Sequence, residues 1–354
     1  MGINHLVGST GMDWLYGYEG DDTLYGGSGL DRLYGGEDND MLVGGAGADY
    51  LDGGTGFDAA SYNHSPSAVT VDLKTGVGAG GDAEGDKLTS IETVYGSIYD
   101  DWLFGDDGDN WLSGGGGDDL LRGSGGADHL DGGHGEDELW GGAGADHLDG
   151  GSGSDWVGYV NSGVTVNLET NIASGGDAEG DTFVSIENVL GSYYADTITG
   201  NSEANHLEGR SGDDTLNGGA GDDALNGGTD QDELIGGAGA DTFIFSQYPG
   251  HHPTWLGTSV ENPDYIWDFN HAEGDKIDLA GLDAVSGVSG DQAFSFIGTS
   301  DFTGAEGELR YEQFTGPFGL TWTTVSGDMD GDAAADFAIV CTDTINFVAD
   351  DFVL

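Results

Sequence analysis

Large apolar residues stand nine positions apart along much of the first two thirds of the chain, as in Leu24, Leu33, Leu42 and Leu51, each at the centre of a three-residue stretch. Side chains alternate across a strand, so each stretch predicts a short strand whose middle residue faces inward and whose neighbours face out. The six residues before it are turn formers, and the whole unit reads G-G-x-G-x-D-x-U-x, with U a large apolar residue. Six copies run from Gly8 to Ser61, seven from Gly96 to Gly158 and six from Gly191 to Ile244, nineteen in all. Two nonapeptides make one turn, which predicts strands at i and i+18 stacked about 4.8 Å apart in two thin parallel sheets.

Between the blocks lie two inserts related to each other, Ser67 to Ser97 and Ser162 to Ser192. Each holds an alternating strand, Ala68 to Leu73 or Gly163 to Leu168, followed by Gly-Gly-Asp-Ala-Glu-Gly-Asp. They read as excursions from a continuous stack. After Ile244 the repeat stops, and longer apolar alternations such as Phe294 to Ile297 and Phe337 to Cys341 predict an antiparallel sheet against the end of the stack. The expected fold is all-β: a right-handed parallel β-roll or β-helix with two inserted β excursions, capped by a C-terminal antiparallel β domain. Its boundaries fall at 1–62, 63–95, 96–158, 159–190, 191–244 and 245–354.

Composition changes the picture in one respect. Sixty-six acidic residues against seven Lys+Arg give a formal charge of −59, which ordinarily signals disorder, yet 36% of the residues are hydrophobic and 10% aromatic. Seventy glycines follow no three-residue period, so collagen is excluded. Such a charge repels nucleic acid and anionic lipid and leaves multivalent cations as partners. No apolar run is long enough for a membrane span. Met1 to Ser9 lacks the form of a cleavable signal peptide, and the single cysteine, Cys341, excludes a disulfide framework.

The aspartate at position six points into the space where turn carbonyls converge. A core one apolar residue deep per strand does not offset the entropy of ordering so many glycines, and stacked carboxylates repel. A hard divalent cation between successive turns supplies neutralisation and oxygen coordination, and magnesium, which demands a small octahedron, fits poorly. Calcium is the expected ion.

The nonapeptide resembles the calcium-binding repeat of RTX (repeats-in-toxin, haemolysin-type) proteins over residues 8 to 244. The resemblance implies metal ligands at Asp13, Asp22, Asp31, Asp40, Asp49 and Asp58 in the first block. In the second they are Asp101, Asn110, Asp119, Asp128, Asp137, Asp146 and Asp155. The third supplies Asp196, Asn205, Asp214, Asp223, Asp232 and Asp241. Asn110 and Asn205 replace a carboxylate, and Asp38, Tyr99, Glu203 and Asp230 replace the fourth-position glycine, which predicts weaker sites there. If a block of n repeats closes n−2 sites, about thirteen ions bind and cancel about 26 of the 59 charges.

Residues 241 to 354 resemble the C-terminal region of serralysin-type RTX proteins. The likeness rests on Asp241 to Phe245, Asp264 to Phe269, Gly274 to Leu279, Gly307 to Tyr311 and Asp328 to Asp332 with Asp336 and Phe337. It implies an uncleaved type I secretion signal, with the acidic-then-apolar ending Asp350 to Leu354, and hence a type I exporter as partner. The implied location is outside, or on the surface of, a Gram-negative bacterium.

Further groups each admit two readings. Asp82, Glu84 and Asp86, with Asp177, Glu179 and Asp181, are an extra calcium site or a solvated turn, and Asp328, Asp330, Asp332 and Asp336 a D-x-D-x-D calcium loop or a polar turn. His129 and His147, with Asp131 and Asp149, are an exposed ladder or a transition-metal site. Trp14, Tyr16, Tyr34, Trp102, Trp111 and Trp140 offer a surface for stacking an extracellular polysaccharide, or pack against the inserts. Neither H-E-x-x-H nor G-x-S-x-G occurs, and the repeats begin at Gly8, which leaves no room upstream for a catalytic domain if Met1 is the native start. The expected function is a non-catalytic adhesion, matrix or signalling module that folds on calcium. The alternative is the secretion and stability portion of a secreted protease, lipase or polysaccharide-modifying enzyme, or such an enzyme itself.

Overall fold

The computed structural model describes residues 2–246, 258–285, 292–316 and 319–354. They form short strands joined by tight turns, and none of the described residues is α-helical. Part of the region expected to form the C-terminal domain, residues 247–257, 286–291 and 317–318, lies outside the described set. The chain divides into two compact units, Met1–Tyr159 with Ile172–Ile186, and Val160–Asn171 with Glu187–Leu354.

In the first unit the eighteen-residue turn sets the register. Leu24 pairs with Leu42 in one sheet and Leu33 with Leu51 in the other, and in the second block Leu130 pairs with Leu148 and Leu121 with Leu139. All these pairings are parallel. The inward residues make two columns without solvent exposure, Leu24, Leu42, Ala60, Val94, Leu112, Leu130 and Leu148 facing Leu33, Leu51, Val71, Leu103, Leu121, Leu139 and Val157. Burying one leucine per strand is worth ~2 kcal/mol, against ~1 to 2 kcal/mol for each ordered residue of a nine-residue repeat, so apolar burial alone leaves the stack short.

Close stacking explains the glycines. Gly45, at position two, has φ +86°, and Gly47, at position four, has φ +148° with its α-carbon turned so that any side chain would collide with the carbonyl of Gly29 one turn earlier. The first insert contributes rungs of its own. Lys87–Thr89 lies parallel on Tyr50–Thr55 with Leu88 beside Leu51, Thr93–Tyr95 joins Ala59–Ser61 to Trp111–Gly116, and Thr70–Asp72 pairs with Trp102–Phe104. Antiparallel pairings to Val77–Ala79 link its two outer strands.

The second unit carries parallel stacking beyond the last nonapeptide. Thr242–Ser246 pairs with Lys276–Gly281, which pairs with Phe352–Val353. Glu233–Ala238 pairs with Asp264–Ile266, which pairs with Phe337–Thr342. From there Thr321–Asp328 and Glu308–Thr315 continue as an antiparallel meander. The last rung of the roll is thus covered by strands from the C-terminal region, which removes an exposed edge.

Candidate metal centres along the aspartate rows

Each position-six residue immediately precedes its strand, so the strand register stacks these residues in rows. All are buried except Asp13, which is half-buried. A single contact recurs along the rows: the backbone N–H of one position-six residue donates to Oδ1 of the aspartate one turn on. It runs from Asp13 to Asp31 (2.8 Å), Asp22 to Asp40 (2.7 Å) and Asp31 to Asp49 (2.7 Å) in the first block. Asp119 to Asp137 and Asp137 to Asp155 (both 2.8 Å) repeat it in the second, and Asp214 to Asp232 (2.9 Å) in the third.

The second carboxylate oxygen behaves differently. In Asp22, Asp31, Asp40, Asp49, Asp58, Asp119, Asp128, Asp137, Asp146, Asp214, Asp223, Asp232 and Asp241, Oδ2 is buried with no hydrogen-bond partner. It faces the position-one glycine of its own repeat and, at Asp22, Asp31, Asp40, Asp119, Asp128, Asp137, Asp214 and Asp223, the position-one carbonyl of the next turn as well. A β-carbon built on Gly26, for example, would lie 2.7 Å from Asp31 Oδ2 and 2.6 Å from the Gly44 carbonyl oxygen. A buried carboxylate oxygen without a donor is costly, and an array of them marks the place of a cation. Carboxylate and peptide carbonyl oxygens are the donors that suit calcium.

Block starts depart from this. Asp13 Oδ2 accepts the Ser9 N–H (2.6 Å), Asp196 Oδ2 the Ser192 N–H (2.6 Å), and Asp101 Oδ2 the Ser97 N–H. Asn110 and Asn205 accept the position-two N–H of Asp106 and Asn201 through Oδ1 (both 2.7 Å). Position two decides the difference. In the open repeats it is left-handed even where it is not glycine, as at Tyr18 (φ 80°), Ser124 (φ 83°) and Arg210 (φ 77°), and its N–H does not close on the carboxylate.

Burial pushes the carboxyls of Asp119, Asp128, Asp137 and Asp214 up, and neighbouring carboxylates push them further against the N–H bonds they accept. Asp119 and Asp214 rise to about 8, and Asp128 and Asp137 to about 7.

Four further aspartates occupy the rows. The Asp49 N–H donates to Asp86 Oδ1 (2.7 Å), Asp146 to Asp181 (2.9 Å), Asp232 to Asp264 (3.0 Å) and Asp241 to Asp275 (3.1 Å). They lack the preceding G-G-x-G, but each keeps the second half of the unit: Asp86-Lys-Leu-Thr, Asp181-Thr-Phe-Val, Asp264-Tyr-Ile-Trp and Asp275-Lys-Ile-Asp. That D-x-U-x signature was the available signal.

The remaining groups resolve unevenly. Asp328, Asp330 and Asp332 bring carboxylate oxygens within 4.8 Å of one another, the one such trio of acidic, His or Cys groups among the described residues. Asp328 is fully buried, but its two oxygens accept the Gly331 (2.8 Å) and Ala333 (3.0 Å) N–H groups. Asp82 and Glu84 do not converge with Asp86; Glu84 accepts the Gly80 N–H (2.9 Å), as Glu179 accepts that of Gly175 (3.0 Å). His129 stacks on His147 at 4.7 Å and meets Trp111 at a tilt with ring centroids 4.2 Å apart, with no carboxylate drawn into a metal-holding trio. Trp14, Tyr16, Trp102 and Trp111 are exposed, so packing against the inserts does not account for them. Their faces are nonetheless partly occupied: Tyr16 stacks on Tyr34 at 4.9 Å, and the Arg32 and Arg122 guanidiniums lie over Trp14 and Trp140.

The RTX calcium-binding nonapeptide repeat (4 copies) matches residues 1–33, 25–59, 89–121, 122–157, 190–225 and 218–246. These segments take in more than half of the chain, which belongs to the RTX calcium-binding repeat family, and calcium is its ion. No curated protein matches the chain. Among solved structures it is similar to the AlgE6R3 subunit of the Azotobacter vinelandii mannuronan C5-epimerase. That solution structure is 27% identical, with 46% of this chain and 80% of that one covered and a TM-score of 0.32. It is also similar to the crystal structure of the extracellular lipase LipA from Serratia marcescens, 17% identical, with 72% of this chain but only 40% of the lipase covered and a TM-score of 0.27. No helix of the described residues is long and apolar enough to cross a membrane.

Proposed function

We propose that the chain is an exported, calcium-folded module without catalysis of its own, serving adhesion, matrix association or signalling. The observation that carries this reading is the column of buried, donorless Oδ2 atoms along the position-six rows. Each such oxygen, with the position-one carbonyl of the next turn, holds calcium. The ion supplies neutralisation of the stacked carboxylates, and the chain supplies an oxygen cradle spaced by the strand register. Calcium is scarce in the cytosol and millimolar outside, so the chain passes a type I exporter unfolded, directed by its C-terminal region, and folds on emergence. The alternative, a stability and secretion portion of a larger secreted enzyme, uses the same rows in the same way.

Native mass spectrometry in calcium tests the reading. On the order of a dozen bound ions is the expected result, and one or two ions would overturn it.

For the partner, the second unit offers a better polysaccharide site than the roll. Tyr265, Trp267 and Trp322 line a cavity of about 700 Å³, with Asp343 among its other lining residues. Its aromatic walls and polar groups suit the apolar faces and hydroxyl edges of sugar rings. Retention on neutral and acidic polysaccharides that is lost in Trp267→Ala supports this; undiminished retention of the variant removes the site.

A further inference from the structure

Interior repeats place glycine at position one, and its missing side chain leaves room beside the Oδ2 of the position-six aspartate five residues on. The insert rungs keep this relation with a different residue. Tyr62 directly follows the repeat Gly53 to Ser61, and Tyr159 directly follows Gly150 to Gly158, so each stands where the next position-one glycine would stand. The backbone agrees. The Tyr62 N–H donates to the Tyr95 carbonyl (2.8 Å), the bond that Gly96 makes to Ser113 (2.8 Å) and Gly105 to Arg122 (2.8 Å). The aspartate that stacks next in the row is Asp86 for Tyr62 and Asp181 for Tyr159, because each accepts the N–H of the aspartate one turn earlier through Oδ1. Each insert is thus a nonapeptide whose turn between positions one and six has been expanded, with a phenol at position one.

That phenol reaches the oxygen left open elsewhere. Tyr62 Oη donates to Asp86 Oδ2 at 3.1 Å and Tyr159 Oη to Asp181 Oδ2 at 3.1 Å. All four side chains are buried, the tyrosines at 2% and 1% exposure. The arrangement arises twice from separate stretches of sequence.

We propose that Tyr62 and Tyr159 are calcium surrogates: their hydroxyls satisfy Asp86 and Asp181 in place of an ion, so that each insert rung is metal-free and stops the calcium row below it. The inference rests on the reading of the open aspartates as calcium ligands. A neutral phenol donates one proton to the carboxylate and fills the room of the missing glycine side chain, leaving no space for a cation with six to eight oxygens. Each of these two rows then ends at its insert without sharing an ion across it, while the other row of the first block runs on through Glu92, whose Oε2 accepts the Asp58 N–H at 2.9 Å.

Substitution by asparagine separates the two kinds of rung, since it preserves shape and one acceptor oxygen while removing the charge a calcium site needs. Native mass spectrometry and calcium titration on the full chain provide the readout. Asp86→Asn and Asp181→Asn are expected to bind as many ions as the parent with midpoints within about twofold, while Asp49→Asn and Asp146→Asn bind fewer. Loss of an ion in Asp86→Asn would overturn the surrogate role. Full ion counts in Asp49→Asn and Asp146→Asn as well would instead overturn the reading of the rows as calcium ligands. As an independent check, Tyr62→Phe should lower the thermal midpoint of the calcium-loaded protein without changing its ion count, and an unchanged midpoint would show that the hydroxyl does not serve the rung.

Discussion

Asp137→Ala and Asp13→Ala remove the same side chain from an interior and a terminal place in the same kind of row, and the structure predicts unequal damage. Asp137 accepts the Asp119 N–H at 2.8 Å, donates its own N–H to Asp155 at 2.8 Å, and keeps Oδ2 buried without a donor. Truncation orphans the buried Asp119 N–H, at ~1 to 3 kcal/mol. It also strips a ligand from the ions facing the Asp119 and Asp155 rungs. At a calcium concentration a hundredfold above its dissociation constant each lost ion removes ~2.7 kcal/mol, so two remove about 5 kcal/mol. Asp13 is half-buried, and its Oδ2 already accepts the Ser9 N–H and hydroxyl, so its loss costs about one ordinary hydrogen bond, ~1 kcal/mol. In a nearest-neighbour stack the damage at Asp137 also spreads to adjoining rungs. Calcium titrations followed by circular dichroism, with calorimetry at saturation, should give Asp137→Ala a midpoint raised about tenfold or more and a shallower transition, and Asp13→Ala a midpoint within about twofold of the parent. Equal shifts would refute the shared-ion register.

Two further outcomes follow from the same geometry. Burial first, then like charge, raises Asp119 and Asp214 to about 8, above the ordinary unfolded carboxyl near 4, so the penalty on the calcium-free fold is complete above about pH 8, shrinks as pH falls from there, and is gone below about pH 4. Protons compete with calcium for the same oxygens, so the calcium midpoint should rise between pH 8 and pH 6; a midpoint independent of pH would contradict the assignment. Deleting Asp350 to Leu354 should abolish export through a type I exporter while calcium binding by the first unit persists. It also removes the Phe352–Val353 strand paired to Lys276–Gly281 and the buried Phe352, lowering the stability of the second unit by roughly 3 to 5 kcal/mol. Normal export of the truncated chain would remove the secretion signal from that terminus.

The parallel register was legible because one period controls turn, strand and inward residue together: Leu24, Leu42 and their counterparts could occupy no other face. The position-six rows were legible for the same reason. The rows' terminations were hidden because they depend on pairings across long stretches of chain. Asp86 takes the place of a residue one turn after Asp49 only once the insert has folded back. Tyr62 looks like the end of a repeat until its phenol is found on Asp86. Asp264 and Asp275 carry only the D-x-U-x half of the unit, a pattern too short to stand out in a chain this rich in aspartate. The closed state of Asp101 and Asp196 turns on a backbone angle at Ser97 and Ser192, which residue type alone does not determine.

The central claim is that carboxylate rows with open, buried oxygens make folding conditional on calcium. Far-ultraviolet circular dichroism of the full chain, first in chelator at pH 7.5 and then through a calcium titration to millimolar concentration, tests it most directly. A largely unfolded spectrum in chelator and a cooperative rise of sheet signal as calcium is added are the expected results. Native sheet signal already present in chelator would contradict the claim.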